Sequence, residues 1–242
     1  MELNSVLMKL GARYLLIALA AFAFGAICQE KFYLMRSMQT LAKGIVGEPW
    51  LQHWFPRTTP RPRNTLFEAF HPHADVVMIG DSLTEAAEWH DMFPGTSIAN
   101  RGISGDRTDD ILRRMDAILA VGATRAFVMV GFNDFALDQP VAVAFENYRK
   151  ILDRLVEEKV EVYIQSTIEC ARAVCGGVLD DIRALNQLLR AHADKNGLTF
   201  IDLNESLSSP QTGLIKQYTY DGIHLLGLGY LQWRGRIEQY VR

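Results

Sequence analysis

A serine, a histidine and a carboxylate, with two donor-bearing residues between them, define the chemistry this chain could carry. Ser82 stands in Gly80-Asp81-Ser82-Leu83, and His224 closes Asp221-Gly222-Ile223-His224. A serine hydroxyl is a weak nucleophile near neutral pH. It needs a neighbouring base, a group that orients the base, and donors for the charge that develops on the attacked carbonyl oxygen. His224 can take and return the proton, and Asp221, three positions earlier on a turn, can hold the imidazole in the right tautomer. Gly102, in Asn100-Arg101-Gly102-Ile103, allows close backbone approach to an oxyanion. Asn133, in Gly131-Phe132-Asn133-Asp134, offers a side-chain amide. If Ser82 opens a helix running through Leu83 and Glu85, its own N–H is unused by that helix and becomes a third donor. Acyl transfer to Ser82 and hydrolysis by water need neither a metal nor an organic cofactor.

Taken in this order, the four blocks resemble the GDSL or SGNH hydrolase family, named for its Ser, Gly, Asn and His blocks. The resemblance covers roughly Val76 to Val241. Asn-Arg-Gly-Ile-Ser-Gly-Asp-Arg-Thr (100 to 108) and Asp-Gly-Ile-His-Leu (221 to 225) are similar to the branch related to platelet-activating-factor acetylhydrolase catalytic subunits. It implies Ser82 as nucleophile, Gly102 and Asn133 as oxyanion donors, and Asp221 with His224 completing a triad. It also implies a serine esterase for short acyl groups such as acetyl. Thr84 stands where the G-x-S-x-G elbow needs its second glycine, which excludes that pattern. An O-acyltransferase, a lysophospholipase and a thioesterase use the same acyl-enzyme. From a different class, a silent module could hold an anion or ligand at the Gly80-Asp81-Ser82 helix start.

Residues so far apart meet only if the fold gathers them. Short β-rich runs at Asp75 to Ile79, Ser97 to Asn100, Ala126 to Val130, Val160 to Gln165 and Leu198 to Leu203 alternate with helical patterns. Helical spacing recurs in Ile111, Leu112, Met115, Ile118 and Leu119, and in Tyr148, Ile151, Leu152 and Leu155. Asp138 is expected to cap the third helix with Pro140 in its first turn, and Asn196-Gly197 to close the helix carrying Leu185, Leu188 and Leu189. The expected class is α/β, a three-layer α/β/α sandwich of about five parallel strands in the order 2-1-3-4-5. Ligands bind such sheets beyond the carboxyl ends of the strands, where the motifs fall.

With 49% hydrophobic and 22% charged residues the chain has an ordinary globular composition, and a net charge of -3 excludes an electrostatic footprint for nucleic acid. The 242 residues divide into an N-terminal segment, 1–28; a helical and aromatic segment with a Pro/Arg linker, 29–63; and a catalytic domain, 64–242. Lys9 and Arg13 precede an uncharged run from Tyr14 to Cys28. That run reads as an uncleaved membrane anchor, with a cleaved signal and secretion as the alternative. Lys9 and Arg13 on one side of the run are nearly balanced by Lys31, Arg36 and Lys43 on the other, so the charges leave the orientation open; in a bacterial setting the catalytic domain is expected in the periplasm. Trp50, Trp54 and Phe55 fit a membrane interface or packing on the domain, and Pro56 to Arg63 a linker. The expected partners are the membrane, through this segment, and a small-molecule, glycan or lipid ester as substrate.

Cys170 and Cys175 fit a disulfide pinning the loop after the fourth strand, with free thiols as the alternative. The composition does not set the oligomeric state. His71 and His73 suit surface or packing roles better than a metal, and no metal site is expected. Asp81 and Asp134 are expected to organise loops. Arg101 and Arg107 suit solvated or capping roles better than substrate anion binding.

Overall fold

The computed structural model describes residues 61–242. The expected anchor, the aromatic segment and the first part of the expected linker lie outside the described residues. Among the described residues, no helix is long and apolar enough to cross a membrane.

Five strands form one parallel sheet in the order β2-β1-β3-β4-β5: β1 Val76–Gly80, β2 Ile98–Gly102, β3 Arg125–Met129, β4 Glu161–Gln165 and β5 Thr199–Ile201. This is the expected order, with strand limits displaced by at most two residues. Register is continuous through the centre, where Gly80 lies opposite Gly102 on one side and Met129 on the other. The order reverses around β1, so the loops leaving β1, β2 and β3 converge at one end of the sheet.

Successive strand side chains point to opposite faces, and both faces are covered, which is why the strands read as near-continuous apolar runs. On one face Met78, Phe127, Tyr163 and Ile201 meet Trp89, Phe93, Trp233 and Ile237. Trp89 and Trp233 cross edge to face at 5.4 Å, and each indole N–H is satisfied, by the Thr84 carbonyl and by Gln165 respectively. Ile79, Val128 and Ile164 are fully buried on the other face, where the buried Tyr148 hydroxyl donates to the Val128 carbonyl at 2.7 Å.

The helices are α1 Pro62–Ala69, α2 Ser82–Glu85, α3 Trp89–Met92, α4 Thr108–Arg113, α5 Met115–Leu119, α6 Phe132–Ala136 and α7 Val141–Glu157. They continue with α8 Arg172–Cys175, α9 Val178–Asn196, α10 Asn204–Leu207 and α11 Gly227–Val241. Gly197 closes α9 in the left-handed conformation, as expected. Three expectations are corrected. The end of the expected linker is helical, because Pro62 suits the first turn of α1 and Arg61 and Arg63 bond to the domain. Pro140, not Asp138, is the N-cap of α7; Asp138 sits two residues earlier at φ 60°. The single helix expected over 111–119 breaks at Arg114, whose buried guanidinium bonds Asp106 and the carbonyls of Gly80 and Arg101.

Candidate active site

Ser82 follows β1 directly. Asp81 caps α2 by accepting the Leu83 N–H at 3.0 Å, which places Ser82 at the first helical position. At that position its own N–H has no intrahelical partner. The helix is pinned at its other side by Tyr230, whose hydroxyl donates to the Leu83 carbonyl at 2.9 Å.

Across 142 positions of sequence, His224 Nε2 lies 3.1 Å from Ser82 Oγ. His224 Nδ1 lies 2.7 Å from Asp221 Oδ2. The other oxygen, Asp221 Oδ1, accepts the backbone N–H groups of Ile223 at 2.9 Å and His224 at 2.7 Å, so the carboxylate is fixed before it orients the ring. Burial pushes the Asp221 carboxyl up, but the hydrogen bonds from the imidazole and the two N–H groups outweigh it and leave its pKa below the usual value. The same bond to Asp221 raises the His224 pKa, against the opposing effect of burial. An ionised carboxylate, an imidazole held with its proton on Nδ1 and a serine hydroxyl facing Nε2 can move a proton off Ser82.

Asn133 stands in α6, beyond β3, and its Nδ2 donates to the Asp106 carbonyl at 3.0 Å. An amide nitrogen carries two protons, so one remains for a ligand. Gly102 is placed differently from expectation. Its N–H is taken by Asn100 Oδ1 at 2.9 Å, and a Cβ there would lie 2.2 Å from the Glu85 nitrogen. The glycine is needed so that α2 can pack on the end of β2, and its N–H is not free for an oxyanion.

The next glycine has the properties expected of Gly102. Ile103 to Asp106 form a turn closed by the Asp106 N–H on the Ile103 carbonyl, with Gly105 at φ 77°. Among the described residues, no protein group accepts the Gly105 N–H. The turn is held between the two donor helices: Glu85 of α2 accepts the Ser104 N–H at 2.5 Å, and Asn133 of α6 holds the Asp106 carbonyl. Two glycines three residues apart look alike in sequence; the side chain of Asn100 decides between them.

Asp81 and Asp134 organise their loops, as expected. Burial drives Asp81 up to about 7, and drives Asp134, whose carboxylate accepts the Thr108 N–H and hydroxyl, up to about 6. Arg101 is buried over the Phe67 ring, and Arg107 pairs with Asp109 and Asp110. His73 Nδ1 is 3.1 Å from the Val121 carbonyl, and His71 is exposed. Tyr220 was not singled out by sequence; its exposed ring stacks near His224, with centroids 6.0 Å apart.

The profile of the GDSL-like Lipase/Acylhydrolase family matches residues 78–231, which include Ser82, Gly102, Gly105, Asn133, Asp221 and His224. A Streptococcus pneumonia protein assigned as a platelet activating factor is 25% identical, with TM-score 0.68 over 85% of this chain and 98% of that one. A GDSL-like lipase from Bacteroides thetaiotaomicron shares the fold at 24% identity, with TM-score 0.65 over 73% of this chain and 94% of that one. In sequence, the N-acylneuraminate cytidylyltransferases of Streptococcus agalactiae are 26% identical over 156 residues, 64% of this chain. The match spans only 36% of the length of those relatives. With its strand order, its Ser82-bearing helix start and a profile match over most of its length, the chain belongs to the GDSL-like lipase/acylhydrolase family of hydrolytic enzymes.

Proposed function

We propose that the protein is a serine esterase that removes short acyl groups, acetyl among them, through an acyl-Ser82 intermediate. The observation that carries this reading is the continuous chain from Ser82 Oγ through His224 to Asp221 at the start of α2. His224 takes the Ser82 proton as Oγ attacks the ester carbonyl, and the imidazolium returns it to the departing alkoxide. Water, deprotonated by the same imidazole, then attacks the acyl-enzyme, the bond from the acyl carbon to Ser82 Oγ breaks, and the imidazolium returns its proton to Oγ as the acid is released. The negative oxygen of each tetrahedral intermediate is held by the Ser82 N–H, the Asn133 amide and the Gly105 N–H. Loss of one such donor typically costs about 10² to 10³ in rate.

The departing alcohol leaves on the His224 side, where Tyr220 presents its ring. The similarity to proteins that handle N-acylneuraminate makes an O-acylated sugar the first natural ester to assay. Ser82→Ala is expected to abolish turnover of an aryl acetate and labelling by a fluorophosphonate while the protein stays folded. Undiminished turnover in that variant excludes the mechanism.

We also propose that the uncharged run from Tyr14 to Cys28 holds the enzyme at a membrane with the catalytic domain outside the cytoplasm. Full-length protein is then expected to remain with membranes through an alkaline carbonate wash. Release into the wash rules this out.

A further inference from the structure

The turn that carries Gly105 is gripped from outside the sheet. Arg61 Nη1 donates to the Ser104 carbonyl at 3.0 Å and to Asp106 Oδ1 at 2.5 Å. The other oxygen, Asp106 Oδ2, accepts from Arg114 Nε at 2.8 Å, and the Asp106 carbonyl accepts from Asn133. Asp106 therefore has one arginine on each carboxylate oxygen and the candidate oxyanion amide on its carbonyl. Asp106 is also 2% exposed: its pair with Arg114 is buried on both sides, and its pair with Arg61 is buried on the Asp106 side only.

Arg61 is not what keeps α1 in place. Arg63 Nε donates to the Gly102 carbonyl at 2.7 Å, and the guanidiniums of Arg63 and Arg101 both lie over the Phe67 ring, at 5.1 and 4.3 Å from its centre. Helix α1 therefore has anchors on β2 that do not involve Arg61. With Arg61 removed, the turn keeps its bonds to Glu85, Arg114 and Asn133 but loses those on the Ser104 carbonyl and Asp106 Oδ1. This loosens the turn without unfolding the domain.

We propose that Arg61 is a positioning residue for the oxyanion donors, acting through Ser104 and Asp106 on Gly105 and Asn133. The stretch of chain that enters the catalytic domain thereby sets the geometry of the site. The proposal rests on the esterase reading for its effect on rate, and on the hydrogen bonds alone for its effect on the turn. A donor displaced by about 1 Å can cost on the order of 10²-fold in rate.

The test uses the full-length chain with Arg61→Ala, Arg61→Lys and, as a control, Arg154→Ala, which breaks an exposed pair with Asp116 far along the sequence. Two quantities are measured: kcat and KM for an aryl acetate, and the NMR signals of the Asn133 side-chain amide, assigned by their loss in Asn133→Asp. Arg61→Ala is expected to lower kcat about 10- to 100-fold with KM within about twofold, and to move the Asn133 amide signals. Lysine restores part of the rate, because it keeps the charge on Asp106 but not the planar fork. The control changes neither quantity. In an Asn133→Ala background the effect of Arg61→Ala is expected to shrink, as for residues acting on one element. Wild-type kcat in Arg61→Ala, unmoved Asn133 signals, or full additivity overturns the proposal. If wild type and Ser82→Ala are equally inactive the esterase reading fails, and the Asn133 signals still decide whether Arg61 holds the turn.

Discussion

Asn100 Oδ1 accepts the N–H of Gly102 at 2.9 Å, and the Asn100 amide donates in turn to the Glu85 carbonyl at 3.0 Å. One side chain thus ties the end of β2 to the end of the helix that begins at Ser82. Gly102 becomes a packing position, and the glycine N–H without a protein acceptor among the described residues lies in the turn that follows it.

The assignment of donors can be read from a covalent adduct. A phosphonate on Ser82 places an anionic oxygen where the tetrahedral intermediate carries its charge. The amide protons of Ser82 and Gly105 and the Asn133 side-chain protons are expected to shift downfield in the adduct. Gly102, already bonded to Asn100, is expected to stay. A large downfield shift at Gly102 with none at Gly105 would reverse the assignment.

The rate should depend on pH through His224. Only the neutral imidazole accepts the Ser82 proton, and the bond to Asp221 raises its pKa above the ordinary value of about 6.5. The acid limb of kcat/KM is therefore expected above that value in wild type. Asp221→Asn removes the largest raising cause, so the limb moves to lower pH while kcat falls by roughly 10³ to 10⁴. A limb that stays in place in Asp221→Asn would show that another group titrates there.

Behind the Asp221 to His224 turn, Cys170 and Cys175 form a disulfide across a Cα separation of 6.2 Å. The short loop it closes touches the turn directly. The Ala171 N–H donates to the Gly222 carbonyl at 2.7 Å, and a Cβ on Gly222 would lie 2.5 Å from Val174 Cγ2. Replacing both cysteines with alanine is expected to lower stability by about 2 kcal/mol, as for a short closed loop. It should also lower kcat severalfold with little change in KM, because Gly222 loses its backing. A double variant with the stability loss and an unchanged kcat would confine the disulfide to stability.

How far the sequence spoke depended on the range of the interaction. The strand positions, the α2 start and the Asp221 to His224 turn follow from local signals: apolar runs, an aspartate before a serine, two groups three residues apart. The sequence signals failed wherever one side chain decided an issue across the chain. Asn100 occupies the Gly102 amide, Arg114 breaks a helix whose apolar spacing runs on, and Arg61 reaches Asp106 from 45 positions away. The disulfide lies between, since spacing alone left the thiols open and the loop conformation brings them together.

Asp81 connects stability and catalysis in one residue. Its carboxyl is 2% exposed, and burial carries its pKa from 3.8 to about 7, against the lowering effects of the Leu83 N–H and of His224. Because the folded-state value lies above the unfolded one, the folded protein keeps a proton that the unfolded chain gives up. Stability tied to this group is present below about pH 4 and is lost as pH rises to about 7. Asp81→Asn keeps an acceptor for the Leu83 N–H and has no charge to bury. Its Tm relative to wild type is expected to rise progressively between about pH 4 and pH 7 and to level off above. The same change removes a negative charge that helps raise the His224 pKa, so the acid limb of kcat/KM should move to lower pH. A Tm difference that is constant across this range would mean that Asp81 titrates near its ordinary value. Asp81 would then be ionised across the whole range, and its charge would act on His224 throughout the acid limb.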